Sequence, residues 1–337
     1  MTDGEYQKLL AAIEQLSQAQ LAGLDIAIRT RIADALIAPP RVMPAEPAAI
    51  ASKPVPVVCS SIATIEANFT ASPECPHCQS IKLQKWGSAN RLKRYRCKAC
   101  KVTFNALTGT PLAQLHKREL WEGHGQAIID GLSLRKVAAR LEVGLETAFR
   151  WRHRFLMAPK DVKAKTLDGT VEADETFFLY SQKGSRSLDR PARKRGGKAG
   201  KRGLSDEQVP VLIVRDRNKA TADQILTDRS EKSVSEVLTP RISRGAVLVT
   251  DGDPAFAAFA EKAEILHIGL VVSKGEYAWG IYHVQNVNAY TSRLKGWMRK
   301  FNGVATEYLD TYLGWQRMND RDGNTLTASG LLTAALG

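Results

Sequence analysis

Two acidic residues stand in short segments that have the pattern of buried β-strands. Residues 170–178 alternate apolar and polar side chains, which predicts a strand with Asp174 near its centre. Residues 247–250 form a short apolar run typical of a strand buried on both faces, and Asp251 follows at its carboxyl end. We therefore expect two strands that each deliver one carboxylate.

A third segment, residues 283–300, has the periodicity of an amphipathic helix. Its polar stripe holds Asn288, Ser292, Lys295 and Arg299, and its apolar stripe leads through Val287, Tyr290, Leu294 and Trp297 to Phe301. The polar stripe could face the two acids. Carboxylates from separate strands with an oxygen ligand from a helix suit two-metal phosphoryl transfer, because Mg²⁺ prefers a few carboxylates together with waters and phosphate oxygens.

The motifs around these residues resemble a known family. VEADET around Asp174, VTDGDPAF around Asp251 and HVQNVNAYTSRLKGWM around Asn288 and Lys295 are similar to the DDE-type transposases of bacterial insertion sequences. The most similar group has an N-terminal zinc ribbon, a third ligand that is Glu, Asn or His, and a Lys seven residues later. The resemblance covers roughly residues 74–319, and the order and spacing of the motifs together make it specific.

The resemblance implies a DNA transposase that cleaves and transfers strands by in-line attack of water and then of a 3′-OH. Asp174, Asp251 and Asn288 would hold two Mg²⁺ (or Mn²⁺) ions, and Lys295 would contact a phosphate. The implied partners are the terminal inverted repeats and target DNA, with a homodimer or higher oligomer formed on DNA in the bacterial cytoplasm, at the nucleoid. Because the third ligand is Asn, another interpretation stays open: a non-enzymatic DNA-binding regulator with an inactive nuclease-like domain.

Four cysteines have the spacing of a structural zinc site. Cys75 and Cys78 form one C-x-x-C pair, Cys97 and Cys100 form a second, and eighteen residues separate the pairs. Four thiolates would fill the coordination shell of one Zn²⁺, so the site is expected to be structural. A redox pair or unrelated thiols are the less favoured alternatives.

Residues 117–155 show three helical patterns with the spacing of a helix-turn-helix domain. The third helix carries Arg150, Arg152 and Arg154 beside Trp151 and Phe155, so an apolar stripe could pack while a basic face meets DNA. A purely structural helical domain is the alternative interpretation.

The segment 183–202 holds nine Lys or Arg residues and one acid, interspersed with glycines. Such a composition cannot bury a core, and it favours an ordered state only against phosphate. The predicted DNA contacts in this segment are Arg193, Lys194, Arg195, Lys198, Lys201 and Arg202. A solvated loop is the alternative.

The 337-residue chain carries a formal net charge of +13, which favours a polyanionic partner. Nucleic acid is preferred to a membrane, because no apolar stretch approaches the length of a membrane span and no secretory signal pattern is present. With four of the five cysteines in close pairs, the sequence predicts a reducing compartment.

The expected fold class is α/β and multidomain. The segments are an N-terminal helical segment (1–38), a Pro/Ala-rich linker (39–72), a zinc ribbon (73–112), a helix-turn-helix domain (113–160), a ribonuclease H-like catalytic domain (161–320) and a C-terminal tail (321–337).

Overall fold

The computed structural model describes residues 60–193, 196, 197, 199, 200 and 205–336. The helices predicted for residues 1–38 and most of the linker predicted for residues 39–72 lie outside this part of the chain. Within the described ranges, no helix is both long and apolar enough to cross a membrane.

The first described helix corrects the predicted linker. Residues Ser60–Ala71 form helix α1, which buries Ile65 and packs Phe69 against Tyr95 and Phe104. This stretch contains no proline and repeats apolar residues at helical spacing, so it can pay the entropy of ordering by packing on its neighbour. The linker can therefore extend at most to residue 59.

The ribbon segment forms a small antiparallel sheet. Its strands are β1 (Leu83–Ala89), β2 (Leu92–Cys97) and β3 (Thr103–Asn105), in the order β1-β2-β3. Cys75 and Cys78 precede β1, whereas Cys97 ends β2 and Cys100 lies between β2 and β3, so the β1–β2 hairpin brings the two pairs together.

Three helices follow in the positions that the helix-turn-helix pattern predicts. They are α2 (Trp121–Ile129), α3 (Leu134–Leu141) and α4 (Leu145–Leu156). Trp121 and Phe155 are fully buried between them, and their rings meet edge to face. Gly131 adopts a positive φ of 64° just after α2, which ends that helix in the left-handed conformation that glycine tolerates.

The segment that the sequence predicts to be catalytic contains a five-stranded mixed sheet with the order β6-β5-β4-β7-β8. The strands are β4 (Thr170–Leu179), β5 (Gln208–Asp216), β6 (Thr221–Ile225), β7 (Val247–Thr250) and β8 (Leu266–Gly269). Strands β4, β5 and β6 pair antiparallel, whereas β7 and β8 run parallel to β4. The strands predicted around Asp174 and before Asp251 are confirmed, and so is the ribonuclease H-like α/β layer.

Helices cover both faces of this sheet. Helices α5 (Glu231–Leu238) and α6 (Pro254–Lys262) lie on the face that receives Val171 and Ala173. Helices α7 (Gln285–Met298) and α8 (Leu309–Asp322) lie on the opposite face. Because side chains alternate along a strand, Glu172 and Asp174 both point toward α7.

The C-terminal segment, which is predicted from the sequence to be a tail from residue 321, contains a packed helix. Helix α9 (Ala328–Ala334) buries Leu331 and Leu332 in the same core as the helix-turn-helix domain. It lies so close to α2 that a Cβ on Gly125 would sit 3.2 Å from the carbonyl oxygen of Ala328. Small side chains at this crossing allow the two backbones to approach.

Candidate active site

One predicted catalytic acid, Asp174, lies in β4, and the other, Asp251, follows directly after the neighbouring parallel strand β7. Glu172 in β4 pairs with Val249 in β7, so two further residues along each strand bring Asp174 beside Asp251. Neighbouring strands lie about 4.8 Å apart, and the charge of Asp251 acts on the pKa of Asp174, so we expect the two carboxyl groups to lie close together. The chain turns away immediately after Asp251, where Gly252 has a φ of 85°.

Gly252 is required at this turn for a second reason. A Cβ at this position would lie 2.9 Å from Cγ2 of Val271, in the segment that follows β8. Any other residue would therefore combine backbone strain with a steric clash directly beside Asp251.

Burial and the nearby charge of Asp251 raise the pKa of Asp174 to about 6. The positive charge of Lys295 on α7 opposes this rise. Burial also lowers the pKa of Lys295, and Asp174 counteracts it. A strand carboxylate and a helix cation thus face each other across the site.

Asn288 lies on α7, on the same stripe as Lys295. Seven residues separate them, and two helical turns return the second side chain to nearly the same direction. Asn288 is exposed, so its amide is accessible to a ligand. The assignment of Asn288 as the third ligand stays a prediction.

Glu172 fixes the start of α7 and was not identified from the sequence. Its fully buried carboxylate accepts hydrogen bonds from the backbone N–H groups of Asn286 (2.8 Å) and Val287 (3.0 Å), and from the Asn286 side chain (2.8 Å). An anion at a helix N-terminus binds the unpaired N–H groups there. Glu172 thus joins the strand of Asp174 to the helix of Asn288 and Lys295.

Replacing Glu172 with Gln is expected to lower the free energy of unfolding by about 1–3 kcal/mol, because a buried charge-assisted acceptor is lost at the helix start. Strand cleavage should fall more than DNA affinity, since Glu172 would no longer hold the start of α7 in place against β4. Urea unfolding and cleavage assays measure these effects, with the exposed Glu261→Gln as control. Unchanged stability in Glu172→Gln would contradict this role.

A second pair of carboxylates, those of Glu175 and Asp253, is bound by one arginine next to the segments of Asp174 and Asp251. Arg229 donates from Nε to Glu175 and from Nη2 to Asp253. Asp253 also caps α6 by accepting from the Ala255 N–H at 2.9 Å. Since Glu175 is next to Asp174 in β4, and Asp253 is two residues after Asp251, Arg229 links the two segments that carry the predicted catalytic acids. Arg229 was not identified from the sequence.

The four cysteine sulfurs converge into one cluster and lie within 4.8 Å of one another. The Sγ atoms of Cys75 and Cys100 are 3.7 Å apart, and those of Cys78 and Cys97 are 3.5 Å apart. A tetrahedral ZnS₄ site with bonds of about 2.3 Å has edges of about 3.8 Å. Backbone N–H groups, first that of Cys100, lower the pKa of Cys97 and favour its thiolate, whereas burial and the neighbouring thiols raise the pKa of Cys78.

Replacing Cys97 with Ser is expected to reduce the bound zinc to a small fraction of one ion per chain, because a structural zinc site needs all four ligands. The ribbon should then unfold and binding to DNA ends should weaken. Zinc content measured by mass spectrometry checks this, with Cys59→Ser as control because Cys59 belongs to neither pair. Full zinc occupancy in the Cys97 variant would contradict the four-thiolate site.

The three arginines of α4 have different environments, and one prediction is wrong. Arg152 is only 1% exposed, donates hydrogen bonds to the carbonyl of Leu132 and the hydroxyl of Tyr312, and lies over the ring of Trp315. It joins α4 to α8 and cannot reach DNA.

Arg154 is partly engaged in the fold, because it donates to the carbonyl groups of Pro111 and Ala113. Arg150 is exposed, in an ion pair with Glu146, and is available to a phosphate. In the basic segment, Arg193 donates to Tyr180 at 2.9 Å and Glu207 at 3.1 Å. The other predicted contacts lie outside the described residues: Lys194, Arg195, Lys198, Lys201 and Arg202.

Arg150 and Arg152 form a matched pair for mutation. Arg152→Met is expected to lower the free energy of unfolding by about 1–3 kcal/mol, because the Leu132 carbonyl loses a buried donor. Arg150→Ala should leave stability within about 0.5 kcal/mol and weaken DNA binding, with a salt slope reduced by about 1. Chemical unfolding and salt-dependent binding measure both. A loss of stability in Arg150→Ala but not in Arg152→Met would contradict the exposed position of Arg150 and the buried position of Arg152.

Comparisons with known proteins identify a transposase domain in the segment that contains these residues. Residues 166–316 match the family model of the ISXO2-like transposase domain. A protein of Halobacterium salinarum (strain ATCC 700922 / JCM 11081 / NRC-1), described as "Uncharacterized protein in transposable element ISH50", is 30% identical over 243 residues. That alignment covers 71% of this chain and 82% of the relative.

Solved structures give only distant likenesses. The simian T-cell lymphotropic virus intasome in complex with PP2A regulatory subunit B56 gamma matches with 11% identity and a TM-score of 0.28, over 58% of this chain and 68% of that chain. The pre-cleavage Mos1 transpososome matches with 11% identity and a TM-score of 0.21, over 64% of this chain and 79% of that chain.

The family match spans Asp174, Asp251, Asn288 and Lys295 and the whole mixed sheet that positions them. The relative extends the similarity to most of both chains. This chain therefore belongs to the ISXO2-like transposases of insertion sequences.

Proposed function

We propose that this transposase binds the ends of its insertion sequence and catalyses metal-dependent strand cleavage and strand transfer. One observation carries the proposal: Asp174 in β4 and Asp251, directly after the adjacent parallel strand β7, are close enough for the charge of Asp251 to raise the pKa of Asp174, and the charge of Lys295 opposes that rise. Two close carboxylates beside a cation suit the transfer of a phosphoryl group.

The residues fit two Mg²⁺ or Mn²⁺ ions. The repulsion between Asp174 and Asp251, which helps to raise the pKa of Asp174, is relieved when a divalent cation neutralises both carboxylates. Carboxylate oxygens and the amide oxygen of Asn288 are the hard ligands that these ions prefer. When bound, such ions lower the pKa of an attacking water or 3′-hydroxyl and stabilise charge on the leaving 3′-oxygen.

The protein residues provide position and charge. Lys295 offers an ammonium group to the scissile phosphate or a neighbouring one, at a distance from the carboxylates that Glu172 fixes through the start of α7. Arg229 keeps the segments of Asp174 and Asp251 in register from the opposite face. Because water and then the 3′-OH attack the phosphate directly, no covalent protein intermediate is needed.

DNA contact is assigned to the ribbon, to Arg150 on α4 and to the basic segment 183–202. The zinc site holds the ribbon together and takes no part in the reaction, since four thiolates leave no open position. We expect a homodimer or higher oligomer on DNA, because two ends of one element must be joined to a target.

Cleavage of a duplex that carries the element's own terminal repeats tests this function. We expect strand cuts at the element end with Mg²⁺ or Mn²⁺, and none with EDTA. Binding of the same duplex without cleavage in either metal would favour the DNA-binding regulator instead.

A further inference from the structure

One exposed loop connects β8, the edge strand beside β7, to the helix of Asn288. This aromatic loop, residues 271–282, begins just after the Leu270 N–H donates to the carbonyl of Thr250 at 2.9 Å. The loop ends at Tyr282, and α7 begins three positions later at Gln285. The loop therefore lies on the rim of the candidate active site.

The aromatic loop exposes large apolar side chains from an ordered backbone. Tyr277 is 66% exposed, Trp279 is 68% exposed and Ile281 is 72% exposed. Trp279 and Tyr282 exchange two backbone hydrogen bonds of 2.9 and 3.0 Å, which closes a tight hairpin. Gly280 supplies the positive φ of 59° that the first turn position needs. Such a cluster of exposed apolar side chains indicates a contact surface.

Arg217 ties this hairpin to the catalytic framework. Its guanidinium donates to the carbonyl of Ile281 at 3.0 Å and contacts Nε2 of His283 at 2.9 Å. The same group lies 3.2 Å from the carboxylate of Glu172, which anchors α7. The position of the hairpin is thus fixed relative to Asp174 and Asn288.

The charges near the aromatic loop favour a nucleic acid. Lys274 lies within the loop and the charge of Lys295 reaches the site, whereas Arg217 at the base of the loop is paired with Glu172. The one carboxylate within the loop, that of Glu276, accepts a hydrogen bond from the Val271 N–H at 3.0 Å. Flat aromatic faces beside cations bind single nucleobases by stacking while the cations hold the backbone.

We propose that the aromatic loop, through Trp279 and Tyr277, stacks on a nucleobase displaced from the duplex next to the scissile phosphate. This inference rests on the proposed function, since it needs a DNA end in the site. A base inside an intact duplex is covered by its neighbours, so the loop acts on an end whose last base pairs are open. Opening would let the scissile phosphate approach the carboxylates.

Photocross-linking tests this contact without requiring cleavage. The full chain is bound to terminal-repeat duplexes in EDTA, with 5-iodouracil placed in turn at each position flanking the scissile phosphate. We expect one position to cross-link to Trp279 or Tyr277, with the cross-link kept in Trp279→Phe and lost in a Trp279→Ala, Tyr277→Ala double variant. Leu266→Ser is the control, because Leu266 is an exposed apolar residue at the far end of β8.

Cleavage rates give the second measurement. Trp279→Ala should cut a fully paired end about ten- to a hundredfold more slowly, the loss expected for one stacked base. A mismatch that opens the end in advance should restore most of that rate. Cross-linking without cleavage in the wild type would refute metal-dependent cleavage alone. Cleavage with no cross-link to the loop, or a Trp279→Ala change only in oligomeric state, would overturn the base contact.

Discussion

Asp174→Asn is expected to reduce strand cleavage by on the order of a thousandfold, because the substitution removes one of two carboxylates that would hold the metal ions. Asp251→Asn should have the same effect, since the two acids share one site. DNA-end affinity should stay close to that of the wild type. Single-turnover cleavage and fluorescence binding assays measure both, with the exposed Asp206→Asn as control.

Asp174→Asn should not destabilise the fold. Its effect on catalysis can therefore be separated from an effect on stability. Asp174 has a pKa raised from 3.8 to about 6, mainly by burial, so its charged form is less favourable in the folded state. This cost appears as the pH rises from 3.8 to 6 and is fully present above 6. In EDTA at pH 7, Asp174→Asn should therefore be as stable as the wild type or more stable. A clear loss of stability would indicate that Asp174 serves the fold.

Asn288→Ala is expected to lower cleavage by about a hundredfold or more, because the third oxygen ligand is lost while DNA contacts are kept. Asn288→Glu restores an anionic ligand, so it should keep part of the activity and need less Mg²⁺ for half-maximal cleavage. Metal titrations of cleavage for wild type and both variants provide the measurement. Ala289→Ser is the control, since Ala289 is exposed on α7 but points about 100° away.

Full activity in Asn288→Ala would show that the third ligand lies elsewhere. His283 is a poor substitute, because its imidazole contacts Arg217 and accepts from the Gln285 N–H at 3.2 Å. Glu175 is also engaged, by Arg229 on the other face of the sheet. Asn288 is thus the favoured oxygen donor on α7.

The strands of the catalytic segment could be predicted because their patterns are local. An alternating run and a short apolar run each specify a strand, and a carboxylate beside them is visible in the sequence. The role of Glu172 could not be predicted in this way. It depends on hydrogen bonds to residues 114 and 115 positions away, although its two-residue spacing from Asp174 does place both on one face.

For Arg152, the local pattern predicts a DNA contact that its burial in the fold excludes. Its neighbours Arg150 and Arg154 suggest a basic face, but Arg152 lies beside the apolar stripe of α4, and helical periodicity does not distinguish a buried arginine from an exposed one. Its partners, Leu132 and Tyr312, belong to distant segments. Helix α9 was missed because its small side chains give a weak pattern, and its burial depends on Gly125 of α2.

Metal rescue on a sulfur-substituted DNA end tests the central claim most directly. Sulfur replaces the leaving 3′-oxygen at the scissile phosphate, and cleavage of this substrate and of the normal one is measured in Mg²⁺ and in Mn²⁺. Because Mn²⁺ accepts sulfur more readily than Mg²⁺ does, we expect the Mn²⁺/Mg²⁺ rate ratio to rise strongly for the sulfur substrate in the wild type. Neither metal should support cleavage in Asp174→Asn. An equal ratio for the two substrates would contradict metal contact with the leaving group, and with it the assignment of Asp174, Asp251 and Asn288.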